Sequence, residues 1–229
     1  MIKSTASIQQ SAKINALIYG DSGVGKTRLA LTCDRPLIIS AEGGLLSLAG
    51  HDVPYIEVSD IKTAREAVKY AIDHAHEYGT VIFDSLSEIA EIVLADAMQK
   101  NPDPRKAYPE AETAITRLIR QLRDLPCSVI WIGKSTVVQD EMGRRIYAPM
   151  VPGQKFQDRL PYLLDLVGRL VIDTVTKEDG TQQIRRTLRF VSDGSFTAKD
   201  RSGKLPELCP AHIGRIIDRI SKPAEQKSA

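Results

Sequence analysis

With 229 residues, 42 % of them hydrophobic and 26 % charged, the chain has the make-up of one globular domain that can bury a substantial core. A net charge of +2 excludes a uniformly basic nucleic-acid binder, so such a partner would have to be met by local patches. Isolated Cys33, Cys127 and Cys209, and no apolar run near membrane-spanning length, exclude a zinc or disulfide framework and a membrane partner, and predict a cytoplasmic protein.

Residues 1–12 are polar and predict a flexible lead-in, followed by one domain over 13–220 and a polar tail over 221–229. Lys13 to Leu31 reads as a short apolar strand, a glycine loop and a helix starting at Gly25. The loop Gly20-Asp21-Ser22-Gly23-Val24-Gly25-Lys26-Thr27 fits G-x-x-x-x-G-K-[ST] in the strand-to-helix context that the motif requires. Glycines let successive backbone N–H groups turn inward around a phosphate, and a helix N-terminus adds its partial positive charge. Lys26 can reach the outer phosphates, and Thr27 offers a hydroxyl to Mg²⁺.

Further on, Arg35 to Ser40 is a buried-strand run that ends in Ala41-Glu42-Gly43-Gly44. Pro54 to Val58 predicts a short strand, and Ile61 to Ala75 an amphipathic helix capped by Ser59 or Asp60. Thr80 to Ser85 is a strand that is apolar and then abruptly acidic, and Leu86 to about Lys100 is helical by period. The prolines of Asn101 to Pro109 predict a loop, with a helix from Glu110 to Leu125 after it. Ser128 to Gly133 is another buried strand; alternation of this kind predicts a doubly wound, mostly parallel α/β sheet. From Ser135 to Lys155 the chain reads as a polar loop, then a short helix over Gln157 to Leu164. Leu166 to Thr176 and Thr181 to Val191 predict strands joined by Lys177-Glu178-Asp179-Gly180, a hairpin that extends the sheet. A further strand at Phe196 to Ala198 and a last helix over Glu207 to Ile220 complete the reading.

Asp84 is the natural partner of Lys26, because a carboxylate at the end of a buried strand can order Mg²⁺ beside a triphosphate; capping the next helix is its other use. Hydrolysis also needs a group that orients or deprotonates water. Ser85 follows Asp84, so an adjacent glutamate is missing, and Glu42, at the end of another strand, is the best substitute. Lys134, closing the last central strand, is placed to contact the terminal phosphate. The N-K-x-D guanine signature is absent, which favours ATP as the nucleotide.

The glycine loop, Ala41-Glu42 after a strand, and Val81-Ile82-Phe83-Asp84-Ser85 together resemble the RecA-type ATPase core, over roughly residues 12–220. More narrowly, the chain looks like the short phage-encoded RecA-like proteins of recombination and single-strand annealing. That resemblance implies ATP hydrolysis with Mg²⁺ in the cytoplasm of a bacterial host, with Glu42 activating water and Asp84 on the metal side. It also implies DNA-contacting loops at Asn101–Pro109 and at 135–155, bearing Arg105, Lys106, Arg144 and Arg145. Lys199 and Arg201 match the place where such proteins present two cations to the ATP of a neighbouring subunit. Single-stranded DNA, a head-to-tail ring or filament of the chain itself and a single-strand binding protein are the implied partners. The last central strand ends Gly133-Lys134 where RecA carries an Asn-Gln pair. An accessory ATPase without direct DNA contact, and a nucleotide module that hardly hydrolyses, are the alternatives.

Overall fold

The computed structural model describes residues 13–140, 142–176 and 180–221. The lead-in over 1–12, the tail beyond Ser221 and the 177–179 part of the predicted turn lie outside the described residues. In chain order the strands are β1 (Asn15–Gly20), β2 (Pro36–Ser40), β3 (Tyr55–Glu57), β4 (Thr80–Asp84) and β5 (Ser128–Gln139), then β6 (Arg145–Pro149), β7 (Leu166–Thr176), β8 (Gln182–Arg189), β9 (Lys199–Asp200) and β10 (Cys209–Pro210). The helices are α1 (Ile61–Asp73), α2 (Leu86–Lys100), α3 (Pro104–Arg123), α4 (Gln154–Arg159) and α5 (Ile213–Ser221).

The sheet order is β10-β8-β7-β1-β5-β4-β2-β3, with β6 beside β5 and β9 beside β7. From β7 to β3 every neighbouring pair is parallel, whereas β8, β9 and β10 add antiparallel strands at the other side. The expected α/β architecture with a C-terminal hairpin extending the sheet is therefore present. Its two faces follow from the period of two along each strand. Leu17, Tyr19, Ile39, Phe83, Val129 and Trp131 point into one core with α1, α2 and α3. Ala16, Ile18, Ile38, Ile82, Ile130 and Ile132 point into the other with α5 and the short 3₁₀ run at 27–32. Strands buried on both faces must be apolar throughout, which explains the near-continuous runs in the sequence. Trp131 serves packing: its ring stacks on Phe83 at 4.4 Å, and its indole N–H donates to Asn15 Oδ1 at 2.8 Å.

Several elements differ from the sequence-based expectation. A six-residue 3₁₀ run from Thr27 to Thr32 follows the glycine loop where an α-helix was expected. α3 begins at Pro104, inside the stretch predicted as a loop. Pro104 occupies the first turn, where its missing N–H costs nothing, and Asp103 caps the helix by accepting from the Arg105 N–H at 3.0 Å. Pro109 lies within the helix, carried by an apolar face of Ala107, Ala111, Ile115, Ile119 and Leu122 that runs unbroken through it.

The predicted polar loop over 135–155 is largely a hairpin. β5 runs on past Lys134 for five residues and pairs with β6 from Ser135↔Pro149 to Gln139↔Arg145. Asp140 Oδ1 closes its turn by accepting from the backbone N–H groups of Met142 and Arg144. Lys134 is thus a mid-strand residue. Phe196 makes an isolated bridge to Tyr147, the next strand is Lys199–Asp200, and the last helix starts at Ile213 after Cys209–Pro210 has paired with β8.

Candidate functional site

The carboxyl edge of the parallel sheet collects the ends of β1, β2 and β4, and Lys134 lies level with Gly20 in the register. Open α/β sheets bind ligands at such an edge. The loop Gly20–Thr27 leaves β1 there, with Gly23 and Gly25 at φ of 78° and 95°. Those angles suit glycine and strain any other residue. Gly20 lies so close to β7 that an added Cβ would meet the Leu170 carbonyl oxygen at 2.6 Å.

Lys26 is half-buried, and its ammonium donates to the carbonyl oxygens of Gly20 (2.9 Å) and Asp21 (2.8 Å) of its own loop. Burial lowers its pKa from the usual lysine value, opposed by the charges of Glu42, Asp84 and Asp21. The ammonium therefore fills the loop's own mouth, and a phosphate would exchange neutral carbonyl acceptors for anionic oxygens.

Thr27 and Asp84 meet: the threonine hydroxyl donates to Asp84 Oδ2 at 2.6 Å. Asp84 is 4 % exposed, and burial raises its pKa, with the Thr27 hydrogen bond acting against that. Its other oxygen, Oδ1, is buried without a hydrogen-bond partner. An orphaned carboxylate oxygen beside a hydroxyl, at the mouth of a phosphate loop, fits the oxygen-donor set that Mg²⁺ takes. Ser85 caps α2, its hydroxyl accepting from the Glu88 N–H at 3.3 Å. The helix-capping task at this strand end thus falls to the serine and leaves Asp84 for the site.

Glu42 is brought to the same place by the backbone. The N–H groups of Ala41 and Glu42 donate to the Asp84 carbonyl oxygen at 2.7 and 3.3 Å. Its side chain lies 3.5 Å from the Lys134 ammonium. Lys134 is bonded more closely to Glu88, and that hydrogen bond is the main cause of its raised pKa. Ser87 ties the group to the β5–β6 hairpin, donating to the Met150 carbonyl oxygen at 2.7 Å and accepting from the Lys134 N–H at 3.0 Å. Sequence reasoning missed Glu88 because Ser85-Leu86-Ser87-Glu88 reads as a capping box, in which the glutamate folds back on its own helix.

The remaining candidates are not brought to this cluster. Arg105 is forked onto Asp103 in the first turn of α3, and Lys106 beside it is exposed. Arg144 bonds Asp140 at 2.7 Å within the hairpin turn, and Arg145 opens β6, exposed. Lys199 and Arg201 lie at the opposite, amino edge, since β9 pairs with Leu166 and Val167 at the start of β7. There Lys199 donates to the carbonyl oxygens of Pro161 and Leu164, both at 2.8 Å, and Arg201 bonds Asp165 at 2.7 Å. Burial lowers the Lys199 pKa, and Arg201 adds to the effect. Asp200 between them serves its own turn, accepting from Ser202 and from the Leu205 N–H.

A glycine loop that opens onto Thr27, Asp84 and Glu42 at the carboxyl edge of a parallel sheet defines a P-loop nucleotide-binding protein. The chain belongs to the AAA domain family, whose model matches residues 12–202. No curated protein matches it. Among solved structures, a KaiC-like protein from the hyperthermophilic archaeon Pyrococcus horikoshii OT3 is 12 % identical, with 77 % of each chain covered and a TM-score of 0.43. Among the described residues, no helix is long and apolar enough to cross a membrane.

Proposed function

We propose that the chain binds ATP at the glycine loop, hydrolyses it, and assembles along single-stranded DNA in recombination or annealing of the phage type. The observation that carries the ATPase reading is the meeting of Thr27, Asp84 and Glu42 around the mouth of the loop. Thr27 and Asp84 would hold Mg²⁺, which when bound offsets phosphate charge. Lys26 leaves the Gly20 and Asp21 carbonyls for the β- and γ-phosphates, and the loop's N–H groups cradle the same oxygens. Glu42 orients the attacking water and takes its proton. Lys134 stands beside Glu42, and on this reading it contacts the terminal phosphate as well.

The DNA reading rests on the first turns of α3 and on the hairpin. Tyr108, 42 % exposed, follows Arg105 and Lys106, and its ring lies 3.3 Å from the position of a Cβ built on Gly153, after β6. Cations beside an exposed ring suit a single strand, whose backbone is tracked by charge and whose bases stack. The ion pairs Arg105–Asp103 and Arg144–Asp140 favour a second reading, in which the chain is an accessory ATPase acting through protein partners. Titrating single-stranded DNA into an ATPase assay separates the two. On the DNA reading, turnover rises with DNA, and neutralising Arg105, Lys106, Arg144 and Arg145 together weakens binding at least about tenfold and flattens its salt slope. A quadruple variant with the parent's affinity and slope would move DNA contact elsewhere.

Self-assembly is read from Lys199 and Arg201, which sit at the edge away from their own loop, as a cation supplied to a neighbour's ATP would. Such head-to-tail contact builds a ring or a filament. Mixing inactive Lys26→Ala protein with an inactive Lys199→Ala/Arg201→Ala variant should restore part of the ATPase activity at shared interfaces. No recovery at any ratio, with assembly confirmed by sizing, rules out action across subunits.

A further inference from the structure

The residues of the phosphate end all lie on one flank of the glycine loop. Asp84 is on β4, Glu42 follows β2 and Lys134 is on β5, all to the same side of β1 in the sheet. A nucleotide whose terminal phosphate points that way carries its ribose and base out over the other flank, where β7 and then β8 lie.

That flank is built against the loop. Arg186 of β8, 162 residues away in sequence, donates its Nε–H to the Val24 carbonyl oxygen at 2.9 Å. Its side chain covers the Gly25 Cα closely enough that an added Cβ would meet Nε at 3.1 Å. The register pairs Leu170 with Leu188, Ile172 with Arg186 and Thr174 with Ile184, so these residues share one face of the ribbon. Leu170 and Leu188 are buried in the core with Val24 and Leu29. Beyond them the apolar row continues outward, with Ile172 44 % and Ile184 64 % exposed. An isolated exposed isoleucine needs no explanation. Here two flank a cation that touches the loop itself, on the flank opposite the acids of the phosphate end.

We propose that Ile172 and Ile184 form the shelf for the ribose and base of the loop-bound nucleotide, and that Arg186 is a positioning residue that holds the Val24–Gly25 segment in its cradle form. The proposal rests on the glycine loop being a triphosphate site. It assigns recognition of the nucleoside to the β7–β8 ribbon and leaves the phosphates to the loop. Sequence reading passes over the site because Arg185-Arg186 looks like solvated charge on an exposed strand.

Two probes separate shelf from loop: ATP and inorganic tripolyphosphate, each titrated with Mg²⁺ into the full chain by calorimetry. The parent should bind ATP at least about tenfold more tightly than tripolyphosphate, the difference being the apolar area covered by the nucleoside. Ile172→Ser/Ile184→Ser should weaken ATP about fivefold or more and leave tripolyphosphate unchanged; the single Ile184→Ser, at the more exposed site, should show part of that loss. Arg186→Ala should weaken both probes and raise KM with kcat nearly kept. A parent without preference for ATP, or a double serine variant that keeps the preference or loses both probes equally, overturns the shelf. A parent that binds neither probe overturns the triphosphate reading of the loop, and the shelf with it.

Discussion

Lys26→Ala should abolish ATP turnover and weaken ATP binding by about 10²-fold or more, the loss that follows removal of one positioned donor to a charged oxygen. The variant should still fold, because among the described residues the Lys26 ammonium bonds to the Gly20 and Asp21 carbonyls at the loop mouth and not to the core. The registers of β5 and β7 on β1 end at Gly20 and Tyr19, before Lys26. Calorimetric titration with ATP, paired with a melting curve, checks the claim. A variant that melts with the parent and binds ATP with the parent's affinity would remove the phosphate from this loop.

Glu42→Gln should separate binding from chemistry. The amide keeps the shape and a hydrogen-bonding oxygen, and the backbone N–H of residue 42 still donates to the Asp84 carbonyl, so the site remains assembled. What is lost is the base. A positioned general base contributes about 10²- to 10⁴-fold, so kcat should fall by that factor with ATP affinity held within a few-fold. Glu88 makes this a demanding test, because a second carboxylate stands on the same lysine. Hydrolysis at the parent rate in Glu42→Gln, with Glu88→Gln inactive, would transfer the role to Glu88.

The local features of the site were legible because each is set by a few neighbouring residues. Gly20 to Thr27 announces a phosphate loop, since only glycine adopts the φ angles at Gly23 and Gly25 without strain. The apolar runs that end in Glu42 and Asp84 announce strands of a buried parallel sheet, because both faces of such a strand must be dry. Strand order was not legible: the alternation of strands and helices says nothing of which strand lies beside β1. That order, once formed, sets Asp84 against Thr27 and puts Lys134 on the same flank.

Where local rules compete, packing decided. The prolines at 102, 104 and 109 argue for a loop, but a continuous apolar face from Ala107 to Leu122 outweighs the one internal hydrogen bond that Pro109 removes. The stretch after Lys134 looks polar, yet pairing with β6 satisfies its backbone and makes it a hairpin arm. Residue type and spacing thus determine the loop, the strands and the acids at their ends. The tertiary structure alone decides that Glu88 takes up Lys134 and that Arg186 braces the loop. Both are contacts of long side chains between distant segments, 46 residues apart in one case and 162 in the other. Nothing in the sequence around either residue carries a trace of its partner.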